Sequence, residues 1–231
     1  MKGLLMQLVF DIETDGFLED MTKCHVLVCQ DVVTKKLYTF TDIKNGLDFM
    51  SNAVALIGHN IIGFDLMALE KLYGWKPSPK TRLVDTWIMS QTLQFNRSHK
   101  HGLAGWGSYL GYKKMDNSEW AADGFKTYDP RMIDYCINDV KLNTKVYEVL
   151  LAELQKAIEI NDLIKKGLRV EHDVAEFEAV VRKTGWLFDL EKAQENLRLM
   201  TRHMNKIESI IEPKLGTTKV FIDKAPKTAK Y

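Results

Sequence analysis

Residues 8 to 17 read LVFDIETDGF. An apolar run leads into Asp11 and Glu13, and the pattern breaks at Asp15-Gly16. Side chains two apart on a strand point to the same face, so the two carboxylates project together while Ile12 turns into the core. A carboxylate that ends a buried strand loses its water unless a cation or hydrogen bonds replace it. Two such charges side by side repel, and a divalent metal relieves the repulsion. A solvated strand end is the plain alternative for one D-x-E pattern alone.

Two further acidic features bear on that choice. In GHNIIGFDLMAL (58–69), Asp65 falls one turn into a helix that follows a strand over 54–58. Alone, it reads as an acid at a helix N-terminus, favoured by the dipole. In DYCINDV (134–140), Tyr135 and Asp139 stand four apart and share one helix face. Alone, they read as a surface pair. Together, Asp11, Glu13, Asp65 and Asp139 are four hard oxygen ligands from separate elements, a set suited to Mg²⁺ or Mn²⁺ rather than zinc. Two such ions, ~4 Å apart, can activate water and stabilise the leaving oxygen in phosphodiester hydrolysis.

The chain has 231 residues, 45% hydrophobic and 27% charged, which fits one α/β domain with an appendage. Thirty-two Lys+Arg against 31 Asp+Glu leave a net charge of +1, so any nucleic-acid surface must be local. Cys24, Cys29 and Cys136 lack paired metal spacing and read as buried free thiols of a reducing cytosol. The opening MKGLLMQLVF is short and meets Asp11 and Glu13 without a small-residue cleavage site, so it is not read as a signal peptide. No stretch approaches the ~20 apolar residues that cross a bilayer, and no membrane partner is expected.

Periodicity predicts strands over 5–11, 25–33 and 36–41, the last two joined as a hairpin at Thr34-Lys35, and a fourth over 54–60. NGLDFMSNA predicts a short helix, FDLMALEKLYG a helix closed by Gly74, and RLVDTWIMSQTL a strand running into a helix. GLAGWGSYLG predicts another helix. A long helix from DPRMIDY through Leu154 takes Asp129 as N-cap and Pro130 as its first residue. Two more helices flank a Gly-Trp-Leu-Phe-Asp turn, and the tail is basic and apolar-poor. The expected fold is α/β, a mixed sheet flanked by helices over 1–160, with a helical extension over 161–231.

The motifs D-x-E-T-D-G-F, H-N-x-x-x-F-D and Y-C-x-x-D-V resemble the three exonuclease motifs of the DnaQ-like, DEDDy-type 3′–5′ exonucleases. They are most similar to the proofreading domain of family A DNA polymerases of T-odd podovirus type. VDTWIMSQTL and KHGLAGWGSYLG resemble later segments of that domain, and VEHDVAEFEAVVRKTGWLFDLEKA resembles the opening of the polymerase region. The resemblance covers about residues 8–212, and no segment resembles the polymerase palm or fingers. It implies a ribonuclease H-like fold. The chain is then either a fragment of a polymerase or a stand-alone nuclease working with a polymerase domain in trans.

The implied activity is removal of nucleotides from the 3′ end of single-stranded or frayed DNA, in host cytoplasm if the chain is phage-encoded. The alternatives are a ribonuclease of the same superfamily and a non-catalytic remnant. Asp11, Glu13, Asp65 and Asp139 would hold two Mg²⁺ or Mn²⁺ ions, and Tyr135 would orient the attacking water. Thr14 and Asp15 would lie by the terminal nucleotide. Phe17 would wedge against the last base or pack in the core. Asn60 would contact substrate, whereas His59 is either a contact or a capping donor, and Asp85 either supports the metal ligands from behind or is structural. Phe64 replaces the Tyr common in relatives. Arg97, His99, Lys100 and His101 read as a solvated loop, or would contact phosphates if that loop borders the cleft. Trp120 and Phe125 would stack on bases or pack in the core.

Overall fold

The computed structural model describes residues 6–112, 115–117 and 125–215. Its centre is decided by alternation along β1 (Gln7–Thr14). Leu8, Phe10 and Ile12 enter one apolar cluster, and Val9 enters another on the opposite face. Asp11 and Glu13 are in phase with Val9 and therefore belong to that second face.

Strand β2 (Cys24–Asp31) pairs antiparallel with β1, and β3 (Leu37–Phe40) pairs antiparallel with β2. The expected hairpin forms. The Asp31 carboxylate accepts the N–H groups of Val33 and Thr34, and Lys35 takes a left-handed φ of 59°. Helix α1 (Ile43–Met50) starts at Asp42, whose side chain accepts the Lys44 N–H. Strand β4 (Ala55–Gly58) leads through a turn to α2 (Asp65–Tyr73), which ends at Gly74 with φ 66°. Strand β5 (Arg82–Asp85) runs directly into α3 (Thr86–Leu93). Both β4 and β5 are parallel to β1, so the sheet order is β3-β2-β1-β4-β5. This is the mixed sheet flanked by helices that the pattern predicts.

Helices α1 and α2 cover the first face through Leu47, Met50, Ala68 and Leu69. The second face is covered by α5 (Arg131–Ile160), whose Met132, Cys136, Val140, Val146 and Leu150 form one buried stripe. Tyr135 and Asp139 belong to the same buried stripe near its N-terminal end. Met89 of α3 and Trp106 of α4 (Leu103–Tyr109) complete this layer. The start of α5 lies one residue later than predicted. Pro130 is the cap, and the Asp129 carboxylate accepts the Arg131 N–H at 2.9 Å.

Helix α6 (Ile164–Thr184) alters the domain division. The first compact unit runs to Thr184 and the second begins at Gly185. A boundary after residue 160 would cut off a helix that packs with the sheet. Leu168 joins the second cluster, whereas Ala175 and Ala179 pack on the first, so α6 crosses the β5 edge. The second unit is built on α7 (Leu190–Leu215). Its Leu197, Met200, Met204, Ile207 and Ile211 recur at three and four residues, an apolar stripe on one side of the helix. Among the described residues, no helix is long and apolar enough to cross a membrane.

Candidate active site

Asp11 and Glu13 pair with Val28 and Val26 of β2, and the register then slips between Glu13 and Thr14. Such an irregularity re-aims the chain as it leaves the sheet. The Thr14 hydroxyl donates to the Gly16 carbonyl at 2.9 Å. The Asp15 carboxylate accepts the N–H groups of Thr22 and Lys23 at 2.8 and 3.1 Å, and also the Thr22 hydroxyl. Slight burial pushes its carboxyl up, but the bonds from Thr22 and Lys23 prevail and hold it below the usual range. Its own N–H goes to the Lys23 carbonyl, so Asp15 closes the loop that carries Phe17. Phe17 is 76% exposed, which removes the core-packing reading.

Strand β4 pairs with β1 only from Gln7 to Val9. Further along β1, the side chain of Asp65, the first residue of α2, accepts the Ile12 N–H. The aspartate thus continues the edge that β4 leaves open. Burial pushes its carboxyl well above the usual range, and the negative charge of Asp11 adds to the effect. The chain reaches this position by a sharp turn. A Cβ at Gly58 would lie 2.0 Å from Ile61 Cγ2, so only glycine fits there. Asn60 takes φ 65°, a conformation Asn tolerates better than most residues. Phe64 packs its ring against the first cluster, so the lost Tyr hydroxyl leaves the packing in place.

From the opposite side, α5 brings Tyr135 and Asp139, both buried. Between them, Cys136 Sγ lies 3.4 Å from the Asp11 carbonyl oxygen and 3.7 Å from Asp11 Oδ2. The thiol and carboxylate oxygens of Asp11 and Glu13 lie within 4.8 Å of one another. Burial first, then the charges of Asp11, Glu13 and Asp139, push the thiol far up, so it is a neutral S–H. Asp11 and Glu13 thus lie beside the Cys136 thiol, the charge of Asp11 reaches Asp65 at the head of α2, and Asp139 acts on the same thiol from α5. Phe125 is partly buried against the second cluster, its ring 5.8 Å from that of Tyr135, and its carbonyl accepts from His25 Nε2 at 2.9 Å. Trp120 lies outside the described residues.

His59 and Asp85 organise the turn below. His59 Nδ1 is 2.9 Å from the Thr86 hydroxyl, which in turn donates to Asn143 Oδ1 at 2.7 Å. The ring therefore ties the turn to the start of α3 and the middle of α5. The Asp85 carboxylate accepts the N–H groups of Asn60, Ile62 and Trp87 at 2.9, 3.2 and 2.9 Å. Its burial pushes the carboxyl up, against these bonds. Its structural role, expected from sequence, is that of a staple between the turn and α3.

The basic loop does not present its charges as expected. Arg97, with only 4% of its side chain exposed, forms a two-pronged ion pair with Glu153 of α5. Its guanidinium carbon lies 4.7 Å from the centre of the Trp106 ring. His101 bonds Ser90 and the Phe95 carbonyl, and His99 stacks on Tyr109. These groups tie the loop to α4 and α5, and Lys100 alone of the four is exposed.

Sequence reasoning missed Cys136 as a lining residue, although its place three residues before Asp139 puts it on the same helix face. It also missed the contacts of α6. His172 Nε2 accepts the Asp85 N–H at 2.9 Å, and Arg182 Nη1 donates to the Gly63 carbonyl at 3.1 Å. No sequence signal announced either, because both join segments far apart in the chain.

No family model matches the chain. Over 96% of its length it is similar, at 25% identity, to the DNA-directed DNA polymerase of Escherichia phage T7, and it spans 40% of that relative. Brucella melitensis NrnC bound to pGG superposes with a TM-score of 0.56 at 19% identity, covering 80% of this chain and 88% of that one. Escherichia coli RNase D, an exoribonuclease involved in structured RNA processing, gives 0.52 at 19% identity, covering 74% and 45%. The chain thus has a ribonuclease H-like fold, shared with these two solved structures, and sequence similarity to part of a T-odd phage DNA polymerase.

Proposed function

We propose that the protein is a metal-dependent 3′–5′ exonuclease that trims single-stranded or frayed DNA ends, proofreading for a phage polymerase joined in cis or bound in trans. What supports this reading is the Asp11 and Glu13 pair against the Cys136 thiol, with the charge of Asp11 acting on Asp65 and that of Asp139 acting on the same thiol, one helical turn after Tyr135. A buried carboxyl such as Asp65, its proton affinity raised by burial and by the charge of Asp11, belongs to a donor set that a hard divalent cation would neutralise. The four would hold Mg²⁺ or Mn²⁺, which when bound polarises the scissile phosphate and acidifies water. Tyr135 orients the attacking water through its hydroxyl. Phe17, exposed at its loop, stacks on the terminal base, and Asn60 meets the same nucleotide from the β4 side. Stacking and backbone contacts read no base sequence, so the enzyme acts on ends rather than on sites.

The test compares 3′- and 5′-labelled single-stranded DNA with Mg²⁺, alongside a ribo-oligonucleotide. Stepwise loss from the 3′ end of DNA is expected, and D11A combined with E13A should abolish it while the fold persists. Preference for the ribo-oligonucleotide would select the ribonuclease reading. Undiminished activity in the double variant would sink the site.

A further inference from the structure

Helix α6 lies in the stretch that resembles the start of a polymerase region, yet Arg182 bonds the turn between β4 and α2, and His172 bonds Asp85, whose carboxylate holds that turn. Near its middle, His172 Nδ1 donates to the Leu168 carbonyl at 2.7 Å, which leaves Nε2 as the acceptor for the Asp85 N–H at 2.9 Å. That N–H sits on the outer edge of the sheet, where a strand amide otherwise lacks a partner strand. The Asp85 carboxylate in turn accepts the Asn60 and Ile62 N–H groups. Ten residues later, Arg182 donates to the Gly63 carbonyl, and Lys183 pairs with Glu70 of α2. The turn is thus held at both ends by one rigid helix, through Asp85 at one end and directly at the other. It carries Asn60 in a left-handed conformation and delivers Asp65 two residues after Gly63.

We propose that α6 is a positioning element of the nuclease site, in which His172, acting through Asp85, and Arg182, acting through Gly63, clamp the turn that places Asn60 and Asp65. The proposal rests on the exonuclease reading for the role of Asp65, but the clamp itself is a matter of backbone geometry. A helix assigned by resemblance to the next region is then a working part of this one, and truncation after residue 160 would loosen the site.

The experiment uses the full chain carrying H172A, H172Q, R182A or R182K. Amide hydrogen exchange at Asn60 and Ile62, and Mn²⁺ affinity by calorimetry, are read beside turnover and KM on single-stranded DNA. Loss of one hydrogen bond is expected to speed exchange at both amides roughly fivefold, with the centre of β1 unchanged. Mn²⁺ affinity and kcat should fall by a similar factor, with KM changed less. H172Q and R182K, which keep an acceptor or a donor in reach, should recover most of both. If H172A fails to fold, R182A, at an exposed position, carries the same test. Unchanged exchange in the alanine variants overturns the clamp, as does faster exchange with Mn²⁺ affinity and kcat both unaltered. A wild-type chain that neither binds Mn²⁺ nor cleaves overturns the exonuclease reading instead, and is told apart because wild type and variants are then equally inert.

Discussion

Asp65 at the head of α2 and Asp11 on β1 are coupled: the Asp65 carboxyl is pushed well above its ordinary range, by burial first and by the charge of Asp11 second. A folded-state pKa raised above the unfolded value means that the native state holds a proton that the unfolded chain releases. Without divalent metal, the contribution of Asp65 to stability should therefore be full at and below about pH 4 and be lost as pH rises through its raised folded value. D65N keeps the acceptor oxygen for the Ile12 N–H and removes the charge. Urea unfolding in EDTA at pH 7 should show it more stable than wild type, with the difference shrinking as pH falls toward 4. Mg²⁺ should flatten the pH dependence of wild type and leave D65N unmoved. A metal-free D65N that is less stable would contradict the coupling.

Tyr135 and Asp139 have separable roles. Y135F keeps the ring beside Phe125 and removes only the hydroxyl, so kcat should fall about 10- to 100-fold with metal affinity unchanged, as for loss of one acid–base or orienting group. D139N removes a ligand and should cost more, with Mn²⁺ affinity reduced as well. Single-turnover cleavage and metal titration of both variants check the order. Equal losses in kcat and metal affinity would merge the two roles.

Phe17 is exposed, so F17A should change stability by less than about 0.5 kcal/mol. Loss of a base-stacking ring should instead weaken binding of a 3′-terminal single strand by about 1–3 kcal/mol. Fluorescence anisotropy with a labelled oligonucleotide in Ca²⁺, beside a thermal melt, separates these effects. A large drop in melting temperature with unchanged affinity would return Phe17 to a packing role.

Arg97 and Glu153 test the basic loop. Arg97 is nearly buried while Glu153 is about one-third exposed, so R97A should destabilise the fold by roughly 2–3 kcal/mol, somewhat less than a fully buried pair. Its effect on the salt dependence of DNA binding should be negligible, because the guanidinium is already committed. Binding isotherms at several salt concentrations would expose a phosphate contact as a shallower slope.

How far the sequence reaches is seen in the site itself. Asp11 and Glu13 were legible as a same-face pair because alternation along a strand is a local rule, and Tyr135 and Asp139 because helical periodicity is another. The central strands, the Thr34-Lys35 hairpin and the Gly74 helix end follow from the same short-range patterns. Arg97 was misread for the converse reason: a cluster of cationic side chains looks like a solvated loop until Glu153, 56 residues away, is folded against it. The first unit's true extent was hidden in the same way, since α6 looks like any amphipathic helix until Leu168, Ala175 and His172 meet the β5 edge.

Short-range rules thus determined the elements, the chemical types in the site and the face from which each carboxylate projects. Tertiary structure decided which of those groups are close enough to alter one another. It placed the Cys136 thiol against Asp11, spent the basic loop on α5, left Phe17 in solvent and tied the Asn60 turn to α6. The reason is physical. Backbone periodicity is fixed by dihedral angles within a few residues, whereas burial, charge coupling and the partner of each hydrogen bond depend on segments that only the folded chain brings together.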